Sequence, residues 1–159
     1  MENVENNKLL VLTTKIMLIG EFHYNLDQKG RLMIPAKFRP RFSMEAIVTK
    51  GLENCIFVFP KDEWEKVVEK ILKLPLSKSN SRAFARLMLA GAYETSIDSQ
   101  GRILIPEYLR KYASLDKKVV VIGLYSRMEV WDENSWKEYQ VQSEQQSQEI
   151  AENLGELGI

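Results

Sequence analysis

One nine-residue motif occurs twice in the chain and constrains its fold more than any other feature. It reads Asp-Gln-Lys-Gly-Arg-Leu-Met-Ile-Pro over residues 27–35 and Asp-Ser-Gln-Gly-Arg-Ile-Leu-Ile-Pro over residues 98–106. Both copies have the form Asp-x-x-Gly-Arg, three apolar residues and proline, and they begin 71 residues apart. Chance rarely reproduces five fixed residue types and an apolar run twice in a chain of 159 residues. The chain is therefore an internal duplication, and the duplicated unit is where function is sought.

Each copy of the motif predicts a tight turn between two strands. Before the first copy, Phe22, Tyr24 and Leu26 alternate with polar residues, which is the period of a half-buried strand. Within the motif, Asp bonds readily to the backbone two residues on, and Gly permits a positive φ angle. We therefore expect the apolar run after Arg31 to be the return strand, ending at Pro35.

The duplication extends well beyond the turn. A short helix is expected after each motif proline, followed by two further strands and a longer helix. With one inserted residue in the second copy, residues 51–52 align with residues 123–124, and Trp64 aligns with Trp136. The sequence therefore predicts an α+β fold of tandem β-β-α-β-β-α units.

These patterns divide the chain into five predicted regions. They are an N-terminal extension (1–16), a first unit (17–74), a linker with a packed helix (75–91), a second unit (92–139) and an acidic, glutamine-rich tail (140–159). The linker helix, around residues 83–90, is apolar on more than one face, so we expect packing on several sides, either between the units or against another subunit. The tail has too few large apolar residues to form a core.

Charge is distributed unevenly, although the formal net charge is zero. Residues 17–50 contain six basic and three acidic side chains, whereas residues 133–159 contain one basic and six acidic side chains. Zero net charge argues against a histone-like binder that coats nucleic acid. The segregation instead predicts a basic working region and an acidic tail.

Other classes of protein are disfavoured. No apolar run approaches the roughly 20 residues that span a bilayer, and Glu2 and Glu5 occupy the positions where a secretory signal would be basic. A cytoplasmic protein is expected. The only cysteine, Cys55, lies in an apolar run and is expected to be buried; with the single His23 it cannot form a zinc site. No metal or cofactor is expected.

Catalysis is also poorly supported by the sequence. His23 has no evident nucleophile or carboxylate partner, and its expected role is that of a partly exposed strand residue. The single Gly of each motif is followed by Arg, not by the Lys-Ser/Thr of a phosphate-binding loop. We expect no enzyme.

The motif arginines admit two interpretations that can coexist. In the structural one, Arg31 and Arg102 pair back with the motif Asp and stabilise the turn. In the functional one, each turn presents its Arg on a rigid loop for bidentate contact with a phosphate or a guanine edge. Two such turns related by an approximate twofold axis would act together, as in symmetric DNA readers.

These residues resemble the MraZ family of regulators, which are associated with the bacterial division and cell-wall gene cluster and consist of two SpoVT/AbrB-like units. The match is carried by residues 20–22, 27–39, 81–86 and 98–106, and it covers roughly residues 17–139. The resemblance implies a pseudo-twofold, swapped-hairpin β-barrel with packing helices, in which the two halves mimic an AbrB dimer. It also implies ring-shaped homo-oligomers that bind promoter repeats in nucleoid DNA.

In the family the motif Arg contacts DNA, which implies Arg31 and Arg102 here. Lys29 in the first copy corresponds to Gln100 in the second, so the first turn is the more electropositive and the expected primary contact. The remaining candidates comprise the residues expected to bend or hold the turns, Asp27, Gly30, Asp98 and Gly101, and the secondary basic residues, Lys37 and Arg39.

Two other functions stay open at this point. The chain could be an antitoxin-like partner protein, with the tail as a docking segment, or a structural ring without DNA readout. The expected contacts between subunits are the helix at residues 82–90 and the exposed parts of Trp64 and Trp136, although each of these could instead belong to the core of its own chain.

Overall fold

The structure is a computed structural model that describes residues 16–158. Its elements follow each other as β1 (Leu18–Asn25), β2 (Arg31–Met33), a 3₁₀ helix (Ala36–Arg41), β3 (Glu45–Lys50), β4 (Ile56–Pro60), α1 (Lys61–Leu72), α2 (Ser79–Ala85) with a π-helical turn (Arg86–Ala90), β5 (Tyr93–Ser96), β6 (Arg102–Leu104), α3 (Glu107–Tyr112), β7 (Lys118–Tyr125), β8 (Met128–Asp132), α4 (Glu133–Gln145), α5 (Ser147–Asn153) and a final 3₁₀ turn (Gly155–Leu157). The predicted α+β class is confirmed, and the order of elements in each unit follows the prediction.

The two units exchange strands in one antiparallel sheet. Its six strands have the order β1-β7-β8-β4-β3-β5. The first strand of each unit pairs with the third strand of the other, β1 with β7 and β5 with β3, while β4 and β8 join the halves at the centre. The duplication in the sequence is therefore visible as an approximate twofold relation between the halves.

The expected hairpin of β1 and β2 is wrong. Strand β2 pairs with β6 of the other unit in a separate two-stranded ladder, with Leu32 opposite Ile103. This pairing buries both side chains, at 1% and 0% exposure, against the main sheet. Each motif turn consequently links the sheet to the ladder and does not close a hairpin. Among the described residues the sheet is open, with β1 and β5 at its edges, so the closed barrel implied by the resemblance is not observed.

Apolar side chains cover both faces of the sheet. Those between the sheet and the ladder include Leu18, Leu32, Ile34, Phe38, Val58, Ile103, Ile105, Leu109, Val121 and Val130. Those on the opposite face, beneath α1 and α4, include Ile47, Cys55, Phe57, Phe59, Ile71, Met88, Val120 and Trp131. Cys55 is fully buried, as predicted. The ladder is therefore held from below by a packed core, which gives it a fixed position.

The helices that cover the second face begin at clear local signals. Helix α1 starts directly after Pro60, with Asp62 and Glu63 in the first turn, where acidic side chains interact favourably with the helix dipole. Helix α4 is capped by Asp132, whose carboxylate accepts a 3.2 Å hydrogen bond from the Ser135 amide. Both helices then place aromatic side chains on the sheet.

The linker helix is less buried than its sequence predicted. No residue of α2 is buried, and in the π-helical turn only Met88 is. Its carbonyl accepts a 2.7 Å hydrogen bond from the buried Thr49 hydroxyl, which attaches the turn to β3. Packing of this helix between the two units is therefore wrong, and packing against another subunit stays a prediction.

Nothing in α5 or the final 3₁₀ turn is buried, as expected for the tail. The predicted extension, residues 1–16, lies outside the described residues except for Ile16. Between residues 16 and 158, no helix combines the length and apolar character that crossing a membrane requires.

Candidate nucleic-acid interface

The two motif turns, turn 1 (residues 27–30) and turn 2 (residues 98–101), have the same internal geometry. In turn 1, Asp27 Oδ1 accepts hydrogen bonds from the amides of Lys29 and Arg31, each 2.9 Å long, and Asp27 Oδ2 accepts one of 2.6 Å from Arg31 Nε. Gly30 closes the turn with a φ of 81°, in the left-handed region that favours glycine. The carboxylate therefore fixes both the backbone and the motif Arg.

Turn 2 repeats these contacts. Asp98 Oδ1 accepts 2.9 Å bonds from the amides of Gln100 and Arg102, Asp98 Oδ2 accepts a 2.8 Å bond from Arg102 Nε, and Gly101 has a φ of 79°. The structural interpretation of the motif is thus visible in both copies. It leaves room for the functional interpretation, because each guanidinium uses Nε for its Asp and has further N–H groups.

The turn carboxylates are stabilised in their charged form. Hydrogen bonds from the Arg31 amide, and then from its side chain and the Lys29 amide, lower the pKa of Asp27. The equivalent bonds, with the Arg102 amide contributing most, lower the pKa of Asp98. Both carboxylates are therefore ionised at neutral pH and hold their arginines through charge-assisted hydrogen bonds.

The β2–β6 ladder brings the two motif arginines to one surface. Its register places Arg31 opposite Leu104 and Met33 opposite Arg102. Because side chains alternate along a strand, these four lie on the outer face of the ladder, opposite the buried inner pair. Arg31 and Arg102 are diagonal neighbours, for which Cα separations are about 7–8 Å. Arg102 Nη1 also lies 3.8 Å from Asp27 Oδ2, which connects the two turns directly.

The motif arginines remain accessible on this face. Their side chains are 33% exposed in Arg31 and 23% exposed in Arg102. Lys29 and Gln100 are exposed at the tips of the two turns. The four DNA-contact candidates therefore belong to one continuous surface, consisting of the ladder and its two turns.

Of the two secondary candidates, Arg39 adjoins this surface and Lys37 lies near β1. Lys37 Nζ is 5.1 Å from the centre of the Phe22 ring and 5.6 Å from that of Phe38, so its charge lies over aromatic side chains near β1. Arg39 lies against turn 2. Its Nε donates a 3.1 Å hydrogen bond to the Ile34 carbonyl.

Sequence reasoning missed Arg110, the counterpart of Arg39 in the second copy. Its Nε donates a 3.0 Å hydrogen bond to the Ile105 carbonyl, and its guanidinium lies against turn 1. The signal was present, because both arginines stand four residues after the motif proline. Segments 27–39 and 98–111, which contain the turns and these arginines, together carry seven basic and three acidic side chains.

The expectation that His23 lacks a carboxylate partner is wrong. Its Nε2 lies 3.1 Å from Glu21 Oε1, and its Nδ1 lies 3.4 Å from Glu133 Oε2. Glu21 is two residues away on the same strand, while Glu133 arrives from α4 through the tertiary fold. Over residues 16–158 no group of three or more His, Cys, Asp or Glu side chains is arranged to hold a metal ion.

The aromatic residues considered as contacts between subunits pack on their own chain. The Trp64 ring is 5.5 Å from that of Phe59, and the Trp136 ring is 5.4 Å from that of Trp131. Both Trp side chains are only half-buried. Each therefore stabilises the attachment of its helix to the sheet and still presents part of its surface.

Comparison with known proteins matches the two halves of the chain separately. A family model described as "MraZ protein, putative antitoxin-like" matches residues 17–87 and again residues 88–156. Relatives named "Transcriptional regulator MraZ" occur in Desulforamulus reducens (47% identical, covering 89% of this chain and 99% of the relative), Natranaerobius thermophilus (48%, covering 90% and 100%) and Caldanaerobacter subterraneus subsp. tengcongensis (46%, covering 90% and 100%).

Proposed function

The chain belongs to the MraZ family, and we propose that it regulates transcription by binding double-stranded DNA with the outer face of the β2–β6 ladder and its two turns. The names of the relatives support a regulatory role and favour it over the antitoxin-like alternative. They describe a regulator and not a class of enzyme. The observation that carries the DNA-binding surface is the placement of Arg31 and Arg102 on one face of a two-stranded ladder.

Such a ladder suits the major groove of DNA. The groove, about 12 Å wide, admits an α-helix or a two-stranded β-ribbon, and several known regulators read it with strands. Arg side chains on a ribbon can bind guanine O6 and N7, or phosphates, through paired hydrogen bonds. The Asp of each turn holds its Arg in one orientation, which reduces the conformational entropy lost on binding.

The two turns contribute unequally in this proposal. Arg31 with Lys29 makes the primary contact, because turn 1 carries the additional positive charge. Arg102 with Gln100 makes the weaker one, in which the Gln amide can hydrogen-bond to a phosphate or a base. Asp27, Gly30, Asp98 and Gly101 shape and hold the turns.

Affinity in this proposal depends on self-association. A neutral chain that neutralises only a few phosphates binds weakly, since each neutralised phosphate adds about 0.9 to the salt slope. In a ring of identical subunits, docking of one subunit places its neighbours at high effective concentration near adjacent sites. The ligand that fits this arrangement is a promoter with repeated boxes, in the division and cell-wall gene cluster. The protein would then bind DNA in the nucleoid.

The test is a titration of purified protein with a duplex from the promoter of its own gene cluster. Arg31→Ala should weaken binding by about tenfold or more, because a lost Arg–base contact costs about 1–3 kcal/mol per site. Fold and oligomeric state should not change. Lys70→Ala, which removes one positive charge from an exposed position on α1, is the control and should bind as wild type.

Equal affinity of Arg31→Ala and wild type would refute the assignment of the DNA contact. A genomic footprint with no preferred sites would instead indicate a structural ring. Copurification of a small toxin, together with absence of promoter binding, would support the antitoxin-like alternative.

A further inference from the structure

The two arginines that follow the motif prolines cross between the units. A side-chain carbon on Gly30 would lie 2.7 Å from Arg110 Cζ, so this guanidinium occupies the space directly beside turn 1. A side-chain carbon on Gly101 would likewise clash with the guanidinium of Arg39. Each turn is thus covered by the Arg of the other unit, not by the one that follows it in the sequence.

Backbone hydrogen bonds also join each turn to the other unit. The Ile105 amide donates a 2.9 Å bond to the Gly30 carbonyl, and the Ile34 amide donates a 2.9 Å bond to the Gly101 carbonyl. The Nε of Arg110 in turn binds the Ile105 carbonyl at 3.0 Å. The same residue, Ile105, therefore anchors both the glycine of turn 1 and the guanidinium that covers it.

The supports themselves are fixed in the core. Ile34 and Ile105 are fully buried, as are Phe38 and Leu109, the residues that precede Arg39 and Arg110. The backbone that carries each guanidinium is consequently rigid, and Nε of each has a carbonyl to bind. This arrangement restricts the guanidinium to one place beside the opposite turn.

We propose that Arg110 and Arg39 are positioning residues for DNA recognition, Arg110 holding turn 1 with Arg31 and Arg39 holding turn 2 with Arg102. The inference rests on the proposed function, in which the motif arginines contact DNA. Each turn is thus supported by the Arg of the other unit, and not by the Arg that follows it in the sequence. The competing role for the same side chains is direct contact with DNA phosphates, which the test must separate from positioning.

Affinity measurements in two backgrounds separate these roles. Arg110→Met removes the guanidinium and keeps an apolar stem; we expect it to weaken promoter binding by about fivefold in the wild type and in Arg102→Ala. In the Arg31→Ala background, Arg110→Met should have almost no further effect on affinity, because the Arg31 contact that Arg110 positions is already absent. Arg39→Met should show the reverse pattern, with its effect lost in Arg102→Ala. Equal losses in both backgrounds would indicate direct phosphate contact and overturn the proposal.

A lysine variant separates geometry from charge. Arg110→Lys keeps the positive charge but has no Nε to donate to the Ile105 carbonyl or planar group to cover Gly30. It should bind DNA like Arg110→Met. If it binds like the wild type, charge and not position is the property that matters, and the proposal fails.

Amide hydrogen exchange on the DNA-free protein gives a readout that does not depend on DNA binding. Arg110→Met should speed exchange of the Lys29 and Arg31 amides and leave those of Gln100 and Arg102 unchanged, whereas Arg39→Met should do the opposite. Faster amide exchange in the turn of the same unit as the substituted Arg would refute the proposal that each Arg supports the turn of the other unit. If Arg31→Ala binds DNA normally while exchange follows the expected pattern, the proposed DNA contact fails and the crossed support stands.

Discussion

The Asp carboxylate of each motif performs two tasks with its two oxygens. In turn 1, Oδ1 of Asp27 accepts the amides of Lys29 and Arg31, and Oδ2 accepts Nε of Arg31. The first task sets the path of the backbone, and the second sets the direction of the Arg side chain. An isosteric change at this residue should therefore affect recognition indirectly, through the orientation of Arg31.

Asp27→Asn is the isosteric substitution that tests this role of the carboxylate. The amide keeps one acceptor oxygen for the backbone but loses the charge that binds Arg31, so promoter affinity should fall by less than in Arg31→Ala, about two- to fivefold. Asp98→Asn in turn 2 is the matched comparison and should have a smaller effect. If Asp27→Asn costs as much affinity as Arg31→Ala, or more, Asp27 is the principal determinant and the proposed order of roles is wrong.

At the scale of elements, one side chain attaches the first 3₁₀ helix to α1. Arg41, whose side chain is 8% exposed, donates a 2.8 Å bond from Nη1 to Asp62 and a 2.9 Å bond from Nη2 to Glu63. Both acceptors lie in the first turn of α1. Helix α1, on one face of the sheet, is thereby connected to the 3₁₀ helix that follows the first motif on the other face.

We predict that Arg41→Met lowers the free energy of unfolding by about 1–3 kcal/mol, because it leaves Glu63 without its less exposed partner. Lys66→Ala is the matched control: it removes the 64% exposed Lys that binds the same carboxylate at 3.1 Å, and it should cost less than about 1 kcal/mol. Chemical denaturation of both variants measures the difference. A larger cost for Lys66→Ala would show that the buried contact is not the stabilising one.

At the scale of the whole molecule, the proposed function makes affinity a property of the assembly. The face that carries Arg31 and Arg102 offers few charged contacts per chain. Binding of several subunits to repeated boxes would multiply those contacts without changing any of them.

Variants in the linker region, residues 82–90, that sediment as monomers should therefore lose promoter affinity by about 100-fold or more, although the ladder is unchanged. Analytical ultracentrifugation and DNA titration on the same samples measure the two properties. A duplex with a single box should bind monomer and wild type with similar affinity. Tight binding of a monomer to the repeated boxes would refute the role of self-association.

Acid stability is a second property of the whole molecule, and the two turns contribute to it. The pKa values of Asp27 and Asp98 are lowered in the folded chain, first by backbone amides of Arg31 and Arg102. Their stabilising effect is therefore fully present above the ordinary Asp value of about 3.9 and is lost as pH falls through the lowered values. The double variant Asp27→Asn, Asp98→Asn should lose less stability than wild type between pH 5 and 2, measured as the unfolding midpoint against pH. Identical slopes of the unfolding midpoint against pH in the double variant and the wild type would show that the two turn carboxylates do not stabilise the fold in this way.

The local features of the chain were predictable from its sequence alone. The hydrogen bonds that Asp27 accepts from Lys29 and Arg31 join residues at most four apart, so the residue types and their spacing determine them. Alternation and apolar runs likewise predicted the strands, and the repeat predicted two equivalent units. The burial of Cys55 followed from its apolar neighbours.

Only the tertiary structure decided which of these elements meet. Strand β2 pairs with β6 and not with β1, Arg110 covers Gly30, and Glu133 reaches His23, although each pair is separated by more than 60 residues. The pairing of β2 with β6 buries Leu32 and Ile103 together against a sheet formed by both units, a requirement of the whole core. The contact of Glu133 with His23 follows from the order β1-β7-β8 in that sheet. The sequence alone therefore determined two turns of the same internal geometry. The exchange of strands between the units placed these turns on one surface and brought an Arg of the opposite unit against each.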